Sequence, residues 1–151
     1  MLRQVSPELL QKLAVLIHGE EGCKLVAYQD EGGVWTIGWG HTQGVTEGMV
    51  INQEQADLLF QEDLHDAEGY VQYYVKVPLN DNQFAALVSF VYNVGAGHFS
   101  HSTLLSDLNN NDFADAASQF LVWDIVDGEK NAGLLARRKA EQDLFNTPME
   151  V

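Results

Sequence analysis

A chain of 151 residues with 46% hydrophobic and 10% aromatic side chains can bury a sizeable core and is too apolar to be disordered. Its 8 Lys+Arg against 22 Asp+Glu leave a formal net charge of −14, the wrong sign for a nucleic-acid-binding module, which needs a basic footprint. One cysteine, Cys23, excludes an internal disulfide and a four-cysteine zinc site.

Ser6-Pro7 is a helix start, with Ser as N-cap and Pro at the first helical position. Leu9, Leu10, Leu13, Leu16 and Ile17 follow at helical spacing, and Gly19 and Gly22 bracket the exit. The apolar run Leu13 to Ile17 is too short to span a membrane, and it lacks the basic start and cleavage site of a signal peptide. From Leu25 two short β-prone runs, Val26 to Asp30 and Val34 to Gly40, flank an acidic, Gly-rich turn and predict a hairpin. Asn52 followed by Gln55 reads as a capping pair opening a long helix to about Val75. Pro78 breaks the chain, Asn80 caps an apolar segment from Phe84 to Val94, and Gly95-Ala96-Gly97 ends it. Further helices fit Thr103–Asn109, Phe113–Trp123 and Leu134–Phe145. With no linker and no repeat, the order predicts a single α+β domain over 1–151, with a small β lobe and a larger helical lobe.

Glu54, Asp57, Glu62, Asp63, Asp66 and Glu68 have no Lys or Arg among them and read as a solvated helix face, because a calcium loop's central Gly and terminal Glu are missing. His98 and His101 lack a third ligand and read as polar loop residues. No metal site is expected.

The stretch from Glu20 to His41 carries the chemistry. Strand alternation puts Trp35, Ile37 and Trp39 on one face, which must be packed. Thr36, Gly38 and Gly40 fall on the other, where glycine marks close approach by a ligand or another backbone. Asp30 lies at the mouth of the turn and Glu21 at the end of the preceding helix. Two carboxylates across a glycine-lined surface are what glycoside hydrolysis requires, one protonated for the leaving oxygen and one on the opposite side of the sugar. Spacing alone leaves Thr36 equally open as strand filler and Asn93 as a helix C-cap.

Glu21-Gly22, Tyr28-x-Asp30 and Trp35-Thr36-Ile37-Gly38-x-Gly40-His41-Thr42 resemble the signature of the phage-type lysozymes, or endolysins. The likeness continues through Leu79 to Gly95, Ser102 to Asn109, Trp123, and Gly133-Leu134 with Arg137-Arg138 and Glu141. The resemblance implies a lysozyme-like fold with an active-site cleft between its lobes. Glu21 would be the general acid, Asp30 the second carboxylate and Thr36 a holder of the attacking water; Asn93 and Gly38 would face the sugar. It further implies an inverting muramidase cutting the β-1,4 bond between N-acetylmuramic acid and N-acetylglucosamine of peptidoglycan, without cofactor. His41 would pair with an acid on the long helix, Asp63, and Arg137 and Arg138 with the first helix's acidic end or Glu141. Related endolysins are often basic, and this chain departs from that pattern. A monomer without stable membrane insertion is expected, held in the host cytoplasm until another protein opens the membrane. The alternative is a lysozyme-fold binding or structural module of a phage particle.

Overall fold

The computed structural model describes residues 3–18, 22–126 and 128–149, without the side chains of Gln11 and His18. Glu21, expected as the acid, lies outside the described residues, as does Glu20. Helices dominate: α1 (Pro7–His18), α2 (Gln53–Tyr74), α3 (Asp81–Val94), α4 (Ala96–Ser100), α5 (Thr103–Asn109), α6 (Phe113–Gln119) and α7 (Ala132–Asn146). Two antiparallel hairpins complete the α+β architecture: β1 (Lys24–Gln29) with β2 (Trp35–Gly38), and β3 (Ile125–Val126) with β4 (Glu129–Lys130). The chain divides into two compact units, His18–His65 and Met1–Ile17 with Asp66–Val151.

In the first unit, Tyr28 pairs with Thr36 and Gln29 with Trp35, and the register shifts before Lys24 meets Gly38. Met49 to Ile51 lies along the other edge of β1, through Ala27 N–H to Met49 C=O and Ile51 N–H to Leu25 C=O, each 2.9 Å. The start of α2 closes this unit with the expected cap. Asn52 accepts from the Gln55 amide at 2.8 Å, and the Gln55 side chain accepts from the Asn52 amide at 2.9 Å, so two orphan N–H groups are satisfied reciprocally.

The second unit is built on α3. The same capping box opens it, between Asn80 and Gln83. Gly95 closes it at φ 90, a left-handed conformation open to glycine without a Cβ penalty, and donates its N–H to Val91 C=O. Every residue from Phe84 to Val91 is buried, as a helix apolar all round requires. Phe90 makes edge-to-face contacts with Phe99, Phe120 and Trp123, at centroid distances of 6.3, 5.3 and 5.6 Å, the geometry that aromatic quadrupoles favour. Leu9, Leu13 and Ile17 form the buried row of α1, while Leu10 faces outward.

Two expectations need correction. The helix predicted over Phe113–Trp123 ends at Gln119 and tightens into a 3-10 turn over Phe120–Val122. Ile125 and Val126 then turn back on Glu129 and Lys130. The signal was present: an Asp-Gly dipeptide directly after the β-branched pair Ile125-Val126 favours a hairpin over a continuing helix. Nor is the acidic face of α2 uniformly solvated. Glu68 is buried and accepts the Val5 amide at 2.5 Å, and Asp63 is half-buried, whereas Glu54, Glu62 and Asp66 are exposed.

Candidate active site

Asp30 and Thr36 are joined through the peptide groups of Val34. One carboxylate oxygen of Asp30 accepts from both the Gly32 and the Val34 amides, each at 2.9 Å. The Val34 carbonyl accepts from the Asp30 amide at 2.9 Å and from the Thr36 hydroxyl at 2.9 Å. The short Asp-Glu-Gly-Gly turn makes this possible, since an Asp side chain reaches the amide two residues on in an Asx-turn. Asp30 is thus aimed by its own backbone and remains exposed. Thr36 is buried, and with its proton committed to Val34 its oxygen has lone pairs left to accept.

The glycine face is covered at Gly38 and open at Gly40, where nothing among the described residues stands within 4 Å of a Cβ built on the backbone. Gly38 is buried at φ 65, and a Cβ built on it would stand 3.4 Å from the Ala56 Cβ and 3.6 Å from the Ile51 Cδ1. Of the two partners that the sequence offered for such a close approach, a ligand or another backbone, Gly38 meets the second, in Ala56 of α2, with the Ile51 side chain beside it. Only the backbone of Gly38 is left for the sugar contact expected of it. On the opposite face Ile37 is fully buried, while Trp35 and Trp39 are half-buried.

Polar ties hold β2 and the loop after it to α2. His41 Nδ1 lies 2.8 Å from Asp63 Oδ2, the pairing the resemblance implied. Trp39 Nε1 donates to Asp57 at 2.8 Å, and Gln53 reaches the same oxygen at 3.0 Å. Cys23 sits beside them, its sulfur 3.6 Å from Gln53 Nε2.

Asn93, near the C-terminal end of α3, is exposed. Its Oδ1 accepts from Arg138 Nη2 at 2.8 Å. Arg138 is fully buried, stacked 5.1 Å from the Phe90 ring centroid, with its Nε 2.9 Å from Glu141 Oε1. Glu141 is also fully buried and accepts from Ser89 Oγ at 2.6 Å, with Arg137 Nε 3.4 Å away. Burial pushes the Glu141 carboxyl above the usual range, opposed by Arg138, Arg137 and the Ser89 hydroxyl. Burial likewise lowers the Arg138 guanidinium to about 10, against the attraction of Glu141. Both arginines thus use Glu141, one of the two partners the sequence offered them. The links from this network to Ser89 and Asn93 were not legible, because residues 45 and 52 positions apart meet only through the packing of α7 on α3.

His98 lies edge-on to Trp123 at 5.8 Å, and His101 Nδ1 lies 3.0 Å from the Gly97 carbonyl oxygen. Among the described residues no group of three or more His, Cys, Asp or Glu could hold a metal ion.

The phage lysozyme family model matches residues 18–141 of the chain. The chain is 41% identical over 141 residues to an endolysin of Acyrthosiphon pisum secondary endosymbiont phage 1, with 91% of this chain and 97% of that protein covered. Its fold is similar to the muramidase domain of SpmX from Asticaccaulis excentricus, with a TM-score of 0.80 and 34% identity, covering 97% of this chain and 100% of that one. It is likewise similar to a P22 lysozyme mutant, with a TM-score of 0.72 and 37% identity over 96% of this chain and 99% of that one. An acid-bearing hairpin turn, a capped long helix behind it and a match of this extent lead to one assignment: the chain belongs to the phage lysozyme family and is a peptidoglycan-hydrolysing glycosidase of the endolysin kind.

Proposed function

We propose that Glu21, Asp30 and Thr36 carry out this hydrolysis by a single inverting displacement at the bond between N-acetylmuramic acid and N-acetylglucosamine. The observation that supports the reading most directly is the Val34 link, which aims the Asp30 carboxylate and leaves the Thr36 oxygen as an acceptor from one hairpin. Glu21 is assigned by its spacing, nine residues before Asp30 and fifteen before Thr36. Its protonated carboxyl delivers a proton to the leaving glycosidic oxygen. Water attacks the anomeric carbon from the opposite face, giving one proton to Asp30 and its other hydrogen bond to Thr36 Oγ1. Asn93 donates to the sugar, and Gly38 contributes only backbone. In this reading the chain works as one domain and as a monomer, without membrane insertion and without cofactor. It accumulates in the host cytoplasm until another protein opens the membrane. No helix among the described residues is long and apolar enough to cross a membrane, which is compatible with that route.

Mass spectrometry of products from purified peptidoglycan tests the bond, and NMR of the first-formed anomer tests the stereochemistry. New reducing muramic acid ends formed with inverted configuration are expected. Amide cleavage would sink the muramidase, and retained configuration would sink the single displacement. Glu21→Gln should keep the fold by circular dichroism and lose roughly 10²–10⁴ in rate, since an amide has no proton to give the leaving oxygen. Glu20→Gln should stay active. The reverse result would move the acid by one residue.

A further inference from the structure

Asn93 has one carbonyl oxygen and one amide nitrogen, and the protein fixes which of them faces outward. Arginine is a donor only, so the 2.8 Å contact from Arg138 Nη2 must fall on the oxygen. That leaves the Asn93 Nδ2 hydrogens as the end available to a ligand. The arginine is itself enclosed: fully buried, laid on Phe90 and paired with Glu141, which Ser89 and Arg137 contact in turn.

Stability alone is a weak reason for this arrangement. Burying an ion pair costs desolvation that its attraction often fails to repay, and apolar replacements of similar volume are frequently neutral or better. Here the burial is complete, Arg138 Nη1 has no hydrogen-bond partner among the described residues, and the 2.9 Å contact of Nε with Glu141 Oε1 is an ion pair without hydrogen-bond alignment. An apolar pair of similar volume would pack α7 on α3 without burying charge, at the loss of the Ser89 hydroxyl's bond to Glu141. What it could not do is present a fixed, directional N–H to the end of α3.

We infer that Arg138 is a positioning residue for peptidoglycan hydrolysis, holding the Asn93 side chain in the single orientation that presents its amide hydrogens to the sugar, with Glu141 and Ser89 fixing the arginine. This rests on the reading of Asn93 as a sugar donor, and the two are separable by experiment. Arg138 touches no substrate and acts only through Asn93.

The test uses soluble peptidoglycan fragments and four variants of the full chain, with kcat and KM measured well below each melting temperature. Asn93→Ala should lower kcat/KM by about tenfold, the worth of one good hydrogen bond. Arg138→Met combined with Glu141→Leu removes the buried charges together, so it should fold, and it should reproduce the Asn93→Ala loss with the same division between kcat and KM. Adding Asn93→Ala to that pair should cost nothing further, because both changes remove one function. Arg138→Lys keeps a cation beside Glu141 but not the planar fork. It supplies a folded comparison if the double variant fails, and should lose part of the same factor. Unchanged kinetics in Asn93→Ala would overturn the reading of Asn93 itself. An impaired Asn93→Ala beside a folded, fully active double variant, or losses that multiply, would overturn the role of Arg138 alone.

Discussion

At the mouth of the hairpin one oxygen of the Asp30 carboxylate accepts two amide hydrogens, so the same side chain shapes the turn and supplies the proposed base. Asparagine keeps a carbonyl oxygen of the same reach and removes the charge, which separates these functions. Asp30→Asn should leave the turn intact, changing stability by about 0.5 kcal/mol or less, while the rate on peptidoglycan falls by roughly 10² or more. Urea unfolding and product release, measured on the same preparation, check both halves. A variant that is equally stable and equally active would remove Asp30 from the chemistry. Thr36 is the complementary case, because its hydroxyl is oriented by a carbonyl that also serves the Asp30 amide.

Among the elements, α3 and α7 show most clearly what a sequence can and cannot declare. The cap of α2 was legible as Asn52 with Gln55 and that of α3 as Asn80 alone, because a capping side chain is a local pattern with a local cause; the structure adds Gln83 to the second. So was the hairpin of β1 and β2, whose turn chemistry sits in four consecutive residues. The proposed donor at Asn93 was placed by resemblance, but its partner was not, since nothing local links residues 93 and 138. Glu141 extends the point. Its folded-state value is raised by burial, so between 4.5 and that value the folded chain binds a proton that the unfolded chain has released. The stability it contributes is therefore fully present below about 4.5 and declines as pH rises. Glu141→Gln removes the titration. Urea midpoints taken at increasing pH from 4.5 should show wild type losing stability relative to this variant. A constant difference would show that Glu141 titrates alike in both states.

Over the whole molecule the charge of −14 opposes approach to an anionic cell wall, and it does so most strongly when salt is scarce. Activity at fixed pH should rise as ionic strength goes from very low to moderate values. A flat or steadily falling profile would show that net charge has no part in encounter. The eight Lys and Arg side chains fall into two sets. All three arginines are engaged within the chain, Arg3 with Asp81 and Arg137 and Arg138 with Glu141. The outward positive charge rests on Lys12, Lys24, Lys76, Lys130 and Lys139, every one of them exposed. Chemically, this makes charge and fold separable. Amine-directed acylation reaches the exposed lysines and leaves guanidinium groups unreacted, so the surface can be driven further negative while the ion pairs behind Asn93 keep their donors.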